Sequence, residues 1–138
     1  MNNKYELLVK EAIEAKNFAY APYSNFHVGA AVLTEDGKMY SGCNIENASY
    51  GATNCAERTA IFKGVSEGSK NIKVIAVATD EESFVYPCGI CRQVIREFGS
   101  ECEVLLVNKH GEVKHSTIEE LLPNSFTKED FVMEEKNG

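Results

Sequence analysis

Ile72-Lys73-Val74-Ile75-Ala76-Val77-Ala78 is the stretch from which the fold can be worked out. It is apolar apart from Lys73 and too short for a typical helix, as expected of a buried strand. After Pro87, the run Arg92 to Phe98 can be helical up to Gly99, and Val104-Leu105-Leu106-Val107 is a second short apolar strand. Strand, helix and strand in that order need a crossover, which favours a parallel pair. Upstream, Ala56 to Val65 is a good helix-forming stretch ended by Gly64 to Gly68. Before it, Phe26 to Leu33 is rich in small and β-branched residues, Glu35-Asp36-Gly37-Lys38 supplies a turn, and Met39 to Ile45 extends again, so a β-hairpin is expected.

At the start, Tyr5, Leu8, Ala12, Ala15 and Ala19 recur at helical spacing, and Pro22 turns the segment Ala21 to Asn25 into a loop. Near the end, Asn108-Lys109-His110-Gly111 turns the chain into a short strand around Val113. Thr117 can N-cap a short helix over Ile118 to Leu122, and the charged tail after Phe131 is expected to fray. The order α-β-β-α-β-α-β-β predicts an α/β fold, a three-layer α/β/α sandwich around a five-stranded mixed sheet. No repeat, low-complexity tract or long linker interrupts it, so residues 1–138 are expected to form a single domain.

A net charge of −7 opposes attraction to phosphate backbones and anionic membranes, which favours a small-molecule partner over nucleic acid or membrane. No apolar run approaches the ~20 residues of a membrane span, and Met1-Asn2-Asn3-Lys4-Tyr5-Glu6 lacks the apolar core of a signal peptide, so a cytoplasmic location is expected. The five cysteines are an odd number, and without a secretory signal metal binding, catalysis or burial suits them better than a disulfide framework.

Cys55-Ala56-Glu57 and Pro87-Cys88-Gly89-Ile90-Cys91 carry the chemistry, each cysteine group opening an expected helix. Cys-x-x-Cys alone also serves redox dithiols and structural zinc. A third cysteine at a helix start changes this: three thiolates and one open position are the layout of a catalytic zinc site, whereas structural sites close with four ligands. Cys55, Cys88 and Cys91 are therefore the expected ligands of one Zn²⁺ per chain. Glu57, two residues past a ligand, is the candidate proton carrier for a metal-activated water. Three thiolates around a divalent ion leave a charge of −1, to be offset by the two helix N-termini and by Arg58 and Arg92, which are expected to hydrogen-bond the sulfurs. Cys43 and Cys102 are expected in the core, and His27, His110 and His115 lack ligand spacing.

Cys55-Ala56-Glu57-Arg58-Thr59-Ala60 with Pro87-Cys88-Gly89-Ile90-Cys91-Arg92-Gln93 resembles the zinc nucleoside deaminases, specifically the short cytidine deaminases. The likeness extends from Tyr20-Ala21-Pro22-Tyr23-Ser24 through Gly42-Cys43-Asn44-Ile45-Glu46-Asn47-Ala48 to Leu121-Leu122-Pro123. It implies hydrolytic deamination of cytidine, and of 2′-deoxycytidine, in pyrimidine salvage. It also implies that Asn44 and Glu46 bind the ribose hydroxyls, Phe26 packs on the pyrimidine and the backbone at Ala56 helps hold the base. By the same likeness the chain forms a homotetramer in which Tyr50 and Phe126 complete a neighbour's pocket. Asn44 and Glu46, two apart on an extended segment, face the same way, which suits a shared sugar-binding wall. A deaminase of a cytosine-containing antibiotic shares these motifs, although Glu46 suits a plain ribose. A structural-zinc module would want a fourth ligand, a thioredoxin-like role would exclude a tightly bound zinc, and strand editing normally uses a basic groove.

Overall fold

The computed structural model describes residues 2–130; the tail after Phe131, expected to fray, lies outside them. Helix α1 (Asn3–Ala15) is started by the Asn2 side chain, which accepts the Tyr5 N–H at 2.9 Å. A short 3₁₀ turn, Lys16–Phe18, and a loop lead to the hairpin of β1 (Val28–Thr34) and β2 (Met39–Cys43). Then come α2 (Ala56–Ser66), β3 (Ile72–Thr79), α3 (Gly89–Phe98), β4 (Glu103–Val107), β5 (Val113–Thr117) and the single turn α4 (Ile118–Leu121). Thr117 caps α4 as expected, its hydroxyl accepting the Glu120 N–H.

The strands form one five-stranded sheet in the order β2-β1-β3-β4-β5. Only β3 and β4 run parallel; the other neighbours are antiparallel, so the mixed sheet and the crossover through α3 are as the sequence predicts. β1 is buried along its whole length because both of its faces are covered. Val28, Ala30 and Val32 pack with Ala56, Ala60 and Ile61 of α2, Ile95 of α3 and Ile118 of α4. Ala31 and Leu33, pointing the other way, pack with Leu8, Val9 and Ala12 of α1. The result is three layers: α1, the sheet, and α2 with α3 and α4. Cys102 is buried as expected, in the core between the sheet and α2, α3 and α4, whereas Cys43 is only half-buried at the end of β2. No helix among the described residues is long and apolar enough to cross a membrane.

α1 lies so close to β1 that a side chain at Gly29 has no room. A Cβ there would stand 2.0 Å from the Ala12 carbonyl oxygen and 2.4 Å from the Lys16 nitrogen, both rigid backbone atoms. Gly29→Ala is therefore expected to destabilise the protein by about 1–3 kcal/mol, seen as a lower denaturant midpoint at an unchanged m-value.

Candidate active site and metal centre

Two helix starts meet over one face of the sheet. The segment after β2 is closed by paired hydrogen bonds between Ile45 and Asn54, each 2.9 Å, and delivers Cys55 to the start of α2. Cys55 and Cys88 are the N-cap residues of α2 and α3, both with extended backbones. α3 begins at Gly89, so the cysteine group opens it as expected, and the helix takes in the residues before the run Arg92 to Phe98 because the Cys88 sulfur accepts the Cys91 N–H at 3.5 Å and so acts as the cap. That places Cys91 in the first turn, facing the same point as Cys88.

The three sulfurs lie within 4.8 Å of one another, Cys55 and Cys88 at 4.0 Å. Sulfurs bound to a tetrahedral zinc at about 2.3 Å are themselves about 3.8 Å apart, so spacing and donor type both fit that ion. Arg58 donates from Nη2 to the Cys55 sulfur at 3.2 Å, as expected of a counter-charge, while its Nε is buried without a partner. The Cys55 thiol is held well below its ordinary value, first by hydrogen bonding from Cys91 and then by Arg58. The Cys91 thiol is pushed up because it shares its proton with Cys55 and is buried. A divalent cation in the cluster would displace that shared proton.

Arg92 departs from expectation. Its Nε donates to the Pro87 carbonyl at 2.7 Å and its Nη1 to the Leu121 carbonyl at 2.8 Å, so it braces the ligand-bearing turn through backbone instead of touching sulfur. The Pro87 carbonyl just before α3 and the Leu121 carbonyl at the end of α4, where a helix leaves its carbonyls without donors, draw the guanidinium away from the metal side.

Beside the sulfurs opens a cavity of ≈ 340 Å³ whose wall includes Cys55, Ala56, Glu57 and Cys88. Phe26, Asn44 and Glu46 line it as well, so six of the sequence-predicted residues of the site, with Cys88, share one space. Glu57 is 5% exposed, and burial pushes its carboxyl up to about 7, the Cys55 charge adding to this and Arg58 opposing it. A carboxyl that exchanges its proton near neutrality suits acid-base work in both directions. Asn44 is half spent on structure: its Oδ1 accepts the Val28 N–H at 2.9 Å and its Nδ2 donates to the Phe26 carbonyl at 2.7 Å, which leaves one N–H and one lone pair to offer.

Tyr50 lies in an adjoining hollow, edge-on to Tyr23 at 6.2 Å between centroids, and is 77% exposed. Phe126 is exposed too and does not line the cavity, its carbonyl accepting from the Gln93 amide at 2.8 Å. The cavity also includes residues not anticipated from sequence: Ser24, Val28, Thr53, Val77, Thr79, Val85 and Tyr86. Val85 and Tyr86 could have been suspected from their place just before Pro87-Cys88; Val77 and Thr79 enter only because β3 ends under the site.

The chain belongs to the family described as "Cytidine and deoxycytidylate deaminase zinc-binding region", whose model matches residues 2–107, and its cofactor is zinc. It is 53% identical over 127 residues to "Cytidine deaminase" of Sporosarcina psychrophila, covering 91% of this chain and 93% of that one. Its fold is similar to the crystal structure of cytidine deaminase from Burkholderia pseudomallei, at a TM-score of 0.85 and 46% identity, covering 91% of this chain and all of the other. It is also 36% identical to "Blasticidin-S deaminase" of Bacillus cereus over 129 residues, 88% of this chain and 91% of that one.

Because Arg58 is the cation set against the thiolates, Arg58→Gln is expected to weaken zinc retention by about 10–100-fold, measured by competition with a chromogenic chelator.

Proposed function

We propose that the chain deaminates cytidine, and 2′-deoxycytidine, by hydrolysis to the uracil nucleoside and ammonia. The observation that carries this is a single cavity whose wall joins Cys55 and Cys88 of the cysteine cluster to the buried Glu57 and to Phe26, Asn44 and Glu46. Cys55, Cys88 and Cys91 would hold one zinc ion, which when bound supplies a Lewis acid that brings the pKa of a water to about 7. Glu57 accepts the proton of the attacking water and delivers it to the ring nitrogen next to the reacting carbon. It then carries the second proton to the exocyclic amine, which leaves as ammonia. Each proton goes from water to substrate through the one carboxyl, so that Glu57 ends as it began.

Phe26 forms an apolar wall for the pyrimidine, the backbone at Ala56 contacts the base, and Asn44 and Glu46 meet the sugar hydroxyls. Arg58 neutralises thiolate charge, and Arg92 braces the turn that carries two ligands. The exposed rings of Tyr50 and Phe126 fit a homotetramer in which each copy completes a neighbour's pocket. One catalytic domain over residues 1–138, a cytoplasmic location and a place in pyrimidine salvage complete the proposal. The net charge of −7 favours the uncharged nucleoside over nucleic acid.

Cytidine added to the purified protein should lose its ultraviolet absorbance as uridine forms; stripping the zinc should stop this and restoring it should revive it. Turnover of blasticidin S without turnover of cytidine would overturn the substrate assignment. Glu57→Gln should lower kcat by about 10²–10⁴-fold while one zinc per chain is retained, checked by metal analysis beside the rate assay.

A further inference from the structure

Among the described residues, no lysine or arginine forms an ion pair with Glu46. Its carboxylate is held by hydrogen bonds from the loop before β1. Oε1 accepts the N–H of Tyr23 at 3.0 Å and that of Ser24 at 3.1 Å. Oε2 accepts the hydroxyl of Ser24. The same hydroxyl oxygen accepts the Phe26 N–H at 3.0 Å, so one side chain ties the carboxylate to the aromatic wall opposite. Asn25, between them, takes a left-handed backbone at φ 57°, which its residue type tolerates and which turns the chain back towards Glu46.

A carboxylate oxygen has two lone-pair directions. Oε1 has filled both with backbone donors, and Oε2 has filled one with Ser24. The remaining direction on Oε2 belongs to a residue that, like Ser24 and Phe26, lines the main cavity. The two backbone donors fix only one oxygen, and without the Ser24 hydroxyl the group is free to swing about Oε1. The Ser24 hydrogen bond is also the first cause holding the Glu46 carboxyl below its ordinary value, so Glu46 stays an acceptor.

We propose that Ser24 is a positioning residue for sugar recognition, its hydroxyl orienting Glu46 Oε2 so that the one unfilled lone pair meets a substrate hydroxyl. This rests on the cytidine reading above. Ser24 acts on the substrate through Glu46, and its loss is felt by substrates that have a sugar hydroxyl to offer and not by those that lack one.

The test compares KM for cytidine with the inhibition constant of 2′,3′-dideoxycytidine, whose ring hydroxyls are absent. In Ser24→Ala, the ratio of cytidine KM to dideoxycytidine inhibition constant should rise about tenfold, with the loss in KM and little in kcat. Ser24→Thr, which keeps the hydroxyl, should restore most of the ratio, and Ser24→Cys, a weaker donor, should fall between and serves if the alanine variant does not fold. In a Glu46→Gln background, Ser24→Ala should move the ratio by less than about twofold, because the residue acts through Glu46. Equal weakening of both ligands, an unmoved ratio, or a full effect persisting in Glu46→Gln would each overturn the assignment while leaving the deaminase intact. An unsubstituted protein inactive on cytidine would instead remove the substrate reading and this proposal with it.

Discussion

Three sulfur ligands have to be brought within reach of one cation, and together they carry more negative charge than a divalent ion can cancel. Much of the molecule answers to that constraint. α2 and α3 each begin at a cysteine, so the partial positive charge and free N–H groups of two helix starts face the cluster. Arg58 adds a full charge on the Cys55 side. The sheet makes this possible by packing both helices on one face, while α1 occupies the other and takes no part in the site. Arg92 completes the arrangement without touching sulfur, by tying the backbone just before α3 to the turn of α4.

The rest of the cavity follows a different economy. Phe26, Asn44 and Glu46 come from two segments joined to each other by side-chain to backbone hydrogen bonds, so that few of their polar groups are left over. Asn44 retains one N–H and one lone pair, and Glu46 one lone pair. A pocket with so few free polar valences is selective because each is pre-aimed: a ligand that fails to meet one leaves a desolvated group unsatisfied. At the other end Glu57 forms no ion pair among the described residues, and burial, only partly opposed by the charge of Arg58, raises its carboxyl to about 7.

The fold was legible wherever periodicity and local chemistry suffice. The run from Ile72 to Ala78 and its echo at Val104 to Val107 specified the parallel pair, and Thr117 marked the last helix. The ligand set was legible from spacing, since Cys88 and Cys91 are one helical turn apart and Cys55 starts another helix. The residues between Cys88 and Arg92 carry little helical pattern of their own, and they join α3 because a sulfur does the capping. Arg92 was misjudged because its second carbonyl partner, Leu121, lies 29 residues away and no local pattern announces it. For the same reason no local pattern announces the role of Ser24, whose carboxylate partner lies 22 residues further on. Tyr50 and Phe126 were singled out by resemblance, and within one chain neither reaches the main cavity.

Cys88 and Cys91 belong to one turn of α3, whereas Cys55 lies 33 residues before Cys88, beyond a whole helix and a strand. A partly folded chain thus offers a metal two sulfurs cheaply and the third only once α2 and α3 have both docked on the sheet. Occupancy by three sulfurs is in that sense a record of completed folding: the ion is held in full only by a molecule whose long-range contacts have already formed, and it strengthens those contacts in return.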